Sequence, residues 1–449
     1  MNPWLGIILI VALLVAAMFG VRWAGHRFMW HAELSRKAVH VLMGLSCLTF
    51  PWLFQEAWPV WIIAGLSVVS LSAVRLVPAL RVRLGGVLSG VERQSWGELF
   101  YAPSVAFVFW LSHGDPLRFG VPVLVLALAD AAAALIGRRY GCARFETDDG
   151  IKSFEGSTGF FFTAFFATHI PLLLWTSVGR LECLLIGVVM GLLTMLIEAI
   201  AWRGLDNVFV PLATYICLVR LLPLAASGLY QRITVLVLIL AFFWFWRRFT
   251  RFTNAAMIGA ALVIYVSWSV GSYKWLIAPL SALAGYTLLC RGSVSNPKRH
   301  TVHTIAWIGG VGMCWICLAE VIRNFDVVYA YGVAYAAHLG MSSLAYFSDA
   351  RHNIQIRNAT VRAAMVGFVF PAMPYLLVWR HNPNLWKLAL LGAVLIFAAV
   401  AAFARIQPAL RSCPSDNARW FRQGTIAIVV SVTAFILISW IEPCPTSFE

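Results

Sequence analysis

Charge is the first thing this sequence lacks. Asp, Glu, Lys and Arg make up 12% of its 449 residues, and 61% of the chain is hydrophobic, where a soluble domain is about a quarter charged. A chain so poor in charge cannot cover a water-facing surface, which excludes both a soluble enzyme and a disordered segment. Acids are scarcer than bases, 19 against 34, for a net charge of +15. The bases lie between apolar runs and form no basic helix. There is no spaced Cys/His array either, so the excess does not describe a nucleic-acid partner. Cysteine is equally unorganised. Nine are scattered, and the single CxxC, Cys314 and Cys317 in VGMCWICLAE, has no basic or βαβ context and reads as a pair of packing thiols.

What the sequence has instead is apolar runs of membrane length. Sixteen can be drawn, at 5–25, 36–53, 57–75, 97–113, 117–137, 157–175, 183–201, 206–222, 232–246, 254–270, 273–290, 301–322, 326–347, 359–378, 385–404 and 421–441, each near the ~20 residues a bilayer crossing needs. The fold class expected is an all-α polytopic integral membrane protein with about 16 transmembrane helices. The first run is too long, with the wrong flanks, for a cleaved signal peptide and should be retained. With the N-terminus outside, 26 of the 34 Lys and Arg fall to the inner side and 8 to the outer. The positive-inside rule asks for that bias. Lipid bilayer is therefore the partner that the +15 charge addresses.

The segment 124–172 organises the rest. Two apolar runs flank a polar insert, and the first run carries Asp130. An ionisable side chain inside a membrane helix is costly and marks a functional site by default. The insert holds Arg138 and Arg139, a solvated acidic face (Glu146, Asp148, Asp149), and then Lys-Ser-Phe-Glu-Gly-Ser from Lys152 to Ser157. A lysine, two serines and backbone N–H groups around Gly156 are phosphate-binding chemistry. The positive-inside parse puts this insert on the cytoplasmic side, where nucleotides are.

Other polar groups flank it. Arg36, Lys37 and His40 share one helical face; headgroup contact accounts for the first two but not for His40, one turn into the apolar run. Glu98 begins a helix, where a carboxylate complements the dipole, and Tyr101 reads as an interfacial anchor. Glu198 closes another apolar run, and Asp206-Asn207 opens the next, where one of the two can cap. Two acids with an Asn suffice for Mg²⁺, which keeps waters and takes one or two carboxylates plus phosphate.

ELSRKAVH (33–40), GELFYAP (97–103), ADAAAALIGRRYG (129–141), KSFEGS (152–157) and Glu198-x(7)-Asp206-Asn207-x(3)-Pro211 together resemble the phytol kinase and dolichol kinase group. These are CTP-dependent membrane lipid kinases related to phosphatidate cytidylyltransferases. The five blocks occur in the group's order between Glu33 and Leu222; Ala129 stands where the group usually has Gly. The resemblance implies transfer of the γ-phosphate of CTP, or of another triphosphate such as ATP, to a long-chain lipid alcohol: phytol, geranylgeraniol, dolichol or diacylglycerol. It implies catalytic roles for Asp130, Lys152, Glu198 and Asp206, with Mg²⁺ on Asp130, Glu198 and Asp206. Nucleotide contacts fall to Arg138, Arg139, Lys152, Ser153, Glu155, Gly156, Ser157 and Asn207. The setting implied is a bacterial plasma membrane with the site facing the cytoplasm.

Residues 1–230 then form the catalytic membrane domain. Past Arg247–Arg251 the polar constellations thin out, and 247–449 reads as a second, degenerate or accessory membrane domain. It faintly resembles phytyl-phosphate kinases but lacks their acidic Asn-Ala-Asp-Thr motif near Ala337–Met341, and Asp349, Arg351 and Arg357 are its one polar patch. The runs 157–175 and 361–379 echo one another in size, aromatics and proline. Two other functions use the same features: nucleotidyl transfer to a lipid phosphate, and lipid or lipid-phosphate transport.

Overall fold

The computed structural model describes residues 2–77, 96–147, 150–290, 300–322, 325–348, 354–378, 382–408, 410 and 416–441. All sixteen apolar runs are helical. Ten helices among the described residues are long and apolar enough to cross a membrane. Several of the others, including the 16-residue helices Ala32–Cys47, Gly97–Ser112 and Asp206–Leu221, span about 24 Å at 1.5 Å per residue, short of the ~30 Å hydrocarbon layer. The basic loop Arg81–Arg93 and the acids Asp148, Asp149 and Asp349 lie outside the described residues, as does Arg351; Arg357 is exposed on its helix.

The chain divides into two compact units, Met1–Thr234 and Val235–Glu449. The first contains α1 (Pro3–Arg27), α2 (Ala32–Cys47), the single turn α3 (Phe50–Leu53), α4 (Trp58–Leu76), α5 (Gly97–Ser112) and α6 (Pro116–Tyr140). After them come α7 (Phe154–Trp175), α8 (Arg180–Ile200) and α9 (Asp206–Leu221). One feature departs from the all-helical expectation. The polar insert folds as an antiparallel hairpin, β1 (Arg144–Thr147) and β2 (Gly150–Ser153), with Phe145 opposite Lys152. Phe145 and Phe154 then pack at 5.2 Å between centroids, pinning the hairpin to α7. Glu146, expected in a loop, is on β1.

Helix starts are written locally. Asp115 accepts from the Arg118 amide ahead of Pro116 to open α6, and Ser153 accepts from the Gly156 amide to open α7. Both follow the preference for oxygen side chains at the N-cap, and α6 also has the favoured proline in its first turn. Phe50, Phe109 and Phe119, each almost fully buried, meet at centroid distances of 5.2 to 6.3 Å and join α3, α5 and α6.

Two close approaches position the polar residues. A Cβ on Gly44 would collide with Ala127, so α2 lies directly against α6. Lys37, His40 and Gly44 are spaced i, i+3, i+7 on one face, and this contact carries the two cations to Asp130. Likewise a Cβ on Gly156 would fall 2.9 Å from the Ala133 carbonyl oxygen and 3.2 Å from Gly137 Cα. The first turn of α7 therefore packs on the backbone of α6.

The second unit contains the end of α10 (Ala226–Trp246), then α11 (Asn254–Gly271), α12 (Ile277–Cys290), α13 (Val302–Ile322) and α14 (Phe325–Phe347). It continues with α15 (356–378), α16 (Leu385–Ile406) and α17 (Asn417–Ile441). Its core gathers Met341, Leu344, Ala363, Ala399, Val400 and Phe403, all fully buried. A π turn at Phe368–Ala372 interrupts α15, whereas α7 is regular throughout. The sequence echo between those two helices does not extend to their backbones.

Candidate functional site

Asp130 opens the last three turns of α6, immediately after a π turn at Val125–Ala129. Such turns reset the helical hydrogen-bond ladder and are frequent at functional sites. Here the Leu126 carbonyl within the turn accepts from, or is contacted by, His40 Nε2 at 3.1 Å. The same nitrogen lies 3.5 Å from Asp130 Oδ2, and Lys37 Nζ donates to that oxygen at 2.6 Å. Lys37, for which headgroup contact was the sequence account, is instead buried and ion-paired to Asp130, as the close Gly44–Ala127 approach brings α2 against α6. Arg36, on the adjacent position, binds Glu33 at 2.7 Å and adds positive potential at Asp130.

A second ion pair lies on the hairpin side. Lys152 Nζ donates to Glu198 Oε1 at 2.7 Å and to the Glu198 backbone carbonyl. The lysine thus closes the C-terminal end of α8, where the helix dipole also favours a cation. Asp206 and Asn207 follow across a tight turn in which Arg203 and Gly204 both adopt positive φ (52° and 84°). A non-glycine residue in that region is strained, and such strain is concentrated at functional loops. The Arg203 carbonyl accepts from the Trp96 amide, which ties the turn to the start of α5. Asp206 Oδ1 accepts from the Asn207 amide at 3.0 Å. Its carboxylate lies in electrostatic reach of Asp130, Lys152, Lys37 and Glu198, so both ion pairs converge on it.

Asp206 has no ion-pair partner among the described residues, and Asn207 Oδ1 is buried without a hydrogen-bond partner. An orphaned buried oxygen beside a free carboxylate wants a cation or donor. No group of three or more His, Cys, Asp or Glu is arranged to hold a metal ion among the described residues. The three acids expected to share Mg²⁺ are thus two lysine-paired carboxylates and one free one. Asp206 with Asn207 fits Mg²⁺ as two protein oxygens with phosphate and water completing the shell, which is how that ion is usually held.

The KSFEGS segment is arranged differently from its sequence reading. The Gly156 amide is taken by Ser153 Oγ at 3.1 Å, and the Phe154 amide by the Ala143 carbonyl at 2.9 Å. Ser153 is buried in that capping role. Glu155 Oε1 accepts from the Ala143 amide. The Gly156 amide is thus engaged in the helix cap and its lack of a Cβ in close packing, while Ser157 follows half-buried in the first turn of α7. The segment's contribution to the cluster is Lys152, held in place by the hairpin. Arg138 and Arg139 are exposed two turns beyond Asp130, and Arg139 lies over the Tyr140 ring. Glu98 is half-buried in the first turn of α5, in electrostatic reach of Arg36 and Arg75.

Tyr101 is the residue that sequence reasoning misplaced. It is buried, its ring 4.7 Å from His40 and its hydroxyl without a partner. Its place one turn after Glu98, on the face that meets α2, was the available signal. Beside this cluster runs an apolar groove of about 480 Å³ between α1, α2 and α6, walled by Ala17, Gly20, Ala24, Val41 and Leu135, with Lys37 among its lining residues.

The chain is similar to the phytol kinase of Synechocystis sp. (strain ATCC 27184 / PCC 6803 / Kazusa), with 30% identity over 185 residues that make up 41% of this chain and 77% of that enzyme. No protein-family model matches the chain, and no solved structure matches it.

Proposed function

The chain belongs to the phytol kinase family, and on that premise we propose that it phosphorylates a long-chain isoprenoid alcohol, with CTP as the donor. The observation that carries this reading is the convergence of two lysine–carboxylate pairs on Asp206, next to an apolar groove that reaches Lys37. Phosphoryl transfer asks a protein mainly for positioning and charge neutralisation. Lys152 supplies a point charge for the triphosphate. Asp206 and Asn207 would hold Mg²⁺, which when bound supplies further charge neutralisation on the phosphates.

The alcohol lies along the groove between α1, α2 and α6, its hydroxyl at Asp130. Lys37 keeps that carboxylate ionised, so it can take the hydroxyl proton as the alcohol oxygen bonds to the γ-phosphorus. The bond from the γ-phosphorus to the bridging oxygen breaks, and the nucleoside diphosphate leaves. His40 orients Asp130 from the other side. The insert faces the cytoplasm, in keeping with the distribution of Lys and Arg. Product analysis tests the reading: full-length protein with CTP, Mg²⁺ and a panel of prenols and diacylglycerol should give CDP and a prenyl monophosphate. Release of pyrophosphate would identify nucleotidyl transfer instead and overturn it.

A further inference from the structure

The second unit contains polar groups that the proposed reaction does not use. A cavity of about 90 Å³ lies among α11, α12, α13, α14 and α17. Its wall is largely apolar, with Val263, Ile264, Leu283, Ile305 and Leu339, and no charged side chain lines it. His338, from the middle of α14, faces this space and is 2% exposed, and neither of its ring nitrogens has a hydrogen-bond partner. Thr304 Oγ1, on the same wall and equally buried, has none either. A neutral imidazole presents one N–H donor and one bare acceptor. Leaving both unanswered in apolar surroundings is what folded proteins avoid.

The Tyr335 hydroxyl, also on the wall, is buried without a partner, while other neighbouring groups are answered. Tyr286 Oη bonds His300 Nε2, and Gln423 Nε2 donates to Ser342 Oγ at 3.3 Å. His300 itself is held by the Arg251 and Thr253 backbone, which closes one end of the cavity. Burial, with Arg419 and Arg251 nearby, pushes His300 down to about 3, so its ring is neutral at pH 7. A ligand that answers these groups brings a donor and an acceptor, no charge, and an apolar body. By size, one water-sized group takes about 10–15 Å³ of such space, so roughly six to nine fit. An oxygen with about one isoprene unit fills it.

We propose that this cavity is a second binding site, one that seats the hydroxyl end of an uncharged long-chain alcohol against His338 and Thr304 while the rest of the chain runs out between the helices. The proposal stands apart from the kinase reading of the first unit. Its test is photolabelling of the full-length protein in nanodiscs with geranylgeraniol carrying a diazirine near the hydroxyl, followed by peptide mapping. Label is expected within 254–342. His338→Leu and Thr304→Val should each lower that label about tenfold, with phosphoryl transfer unchanged, and His338→Gln, which restores a donor and an acceptor, should keep it. If His338→Leu fails to fold, Thr304→Val gives the same readout. No label there in the wild-type protein would mean that the cavity holds water only. Equal label in Thr304→Val, or stronger competition by geranylgeranyl phosphate than by the alcohol, would also overturn the proposal. Loss of kinase activity with this label intact would count against the first unit's reading alone.

Discussion

Replacing Lys37 by methionine leaves the Asp130 carboxylate in place and removes its partner. The pair is short, 2.6 Å, with side-chain exposures of 5% for Lys37 and 18% for Asp130. Breaking a buried pair by removing one member costs about 3–5 kcal/mol, because a charge is left without compensation. The partial exposure of Asp130 and the His40 ring at 3.5 Å place this case at the low end, about 3 kcal/mol. The double variant Lys37→Met/Asp130→Leu removes both charges from a site flanked by apolar helices, and apolar replacement of a whole buried pair is often neutral. Its stability should therefore recover most of the single variant's loss, giving a coupling of about 2 kcal/mol or more. Reversible unfolding in SDS-titrated micelles measures all four proteins of the cycle. Activity should be lost in every variant, so stability and function separate cleanly. Additivity within about 0.5 kcal/mol would mean that the two side chains do not interact, and the α2–α6 geometry on which the site depends would be wrong.

Lys152→Ala should raise the KM for the triphosphate by about tenfold or more, ~1.4 kcal/mol, and leave that for the alcohol unchanged; the reverse pattern in initial-rate kinetics would move the lysine to the lipid end. Gly156→Ala places a methyl against the Ala133 carbonyl and the Gly137 backbone, so it should destabilise by about 1–3 kcal/mol, and a variant as stable as wild type would refute the close α6–α7 contact. Gly20 has nothing within 4 Å of an added Cβ, so Gly20→Phe should fold normally yet raise KM for a twenty-carbon alcohol more than for a ten-carbon one. Equal effects on both would remove the tail from this groove.

Helices were legible because bilayer length and composition dictate them, and all sixteen apolar runs are helical. Two of the candidate residues stood out for the same reason: Asp130 and Glu198 are charges of a kind that membrane helices seldom carry. Their pairings were not. Lys37 and Asp130 are 93 positions apart, Lys152 and Glu198 46, and only tertiary packing at Gly44 and Gly156 brings them together. The hairpin escaped because its strands are four residues each and mostly polar, too short for an alternating pattern to register. Ser-Phe-Glu-Gly is consistent with both a phosphate nest and a capped helix start, and the tight contact at Gly156 decided for the cap. Nothing in the sequence marked the π turn before Asp130 or the left-handed Arg203-Gly204 turn before Asp206.

The central claim is that Asp206 serves phosphoryl transfer from a nucleotide to a lipid alcohol. It is tested most directly by following γ-labelled CTP and geranylgeraniol with purified full-length protein, wild type and Asp206→Asn in parallel. The account predicts labelled geranylgeranyl monophosphate from the wild type and at least about tenfold less from Asp206→Asn, ~1.4 kcal/mol in barrier, with an unchanged unfolding transition. Equal lipid labelling by the two proteins would contradict it.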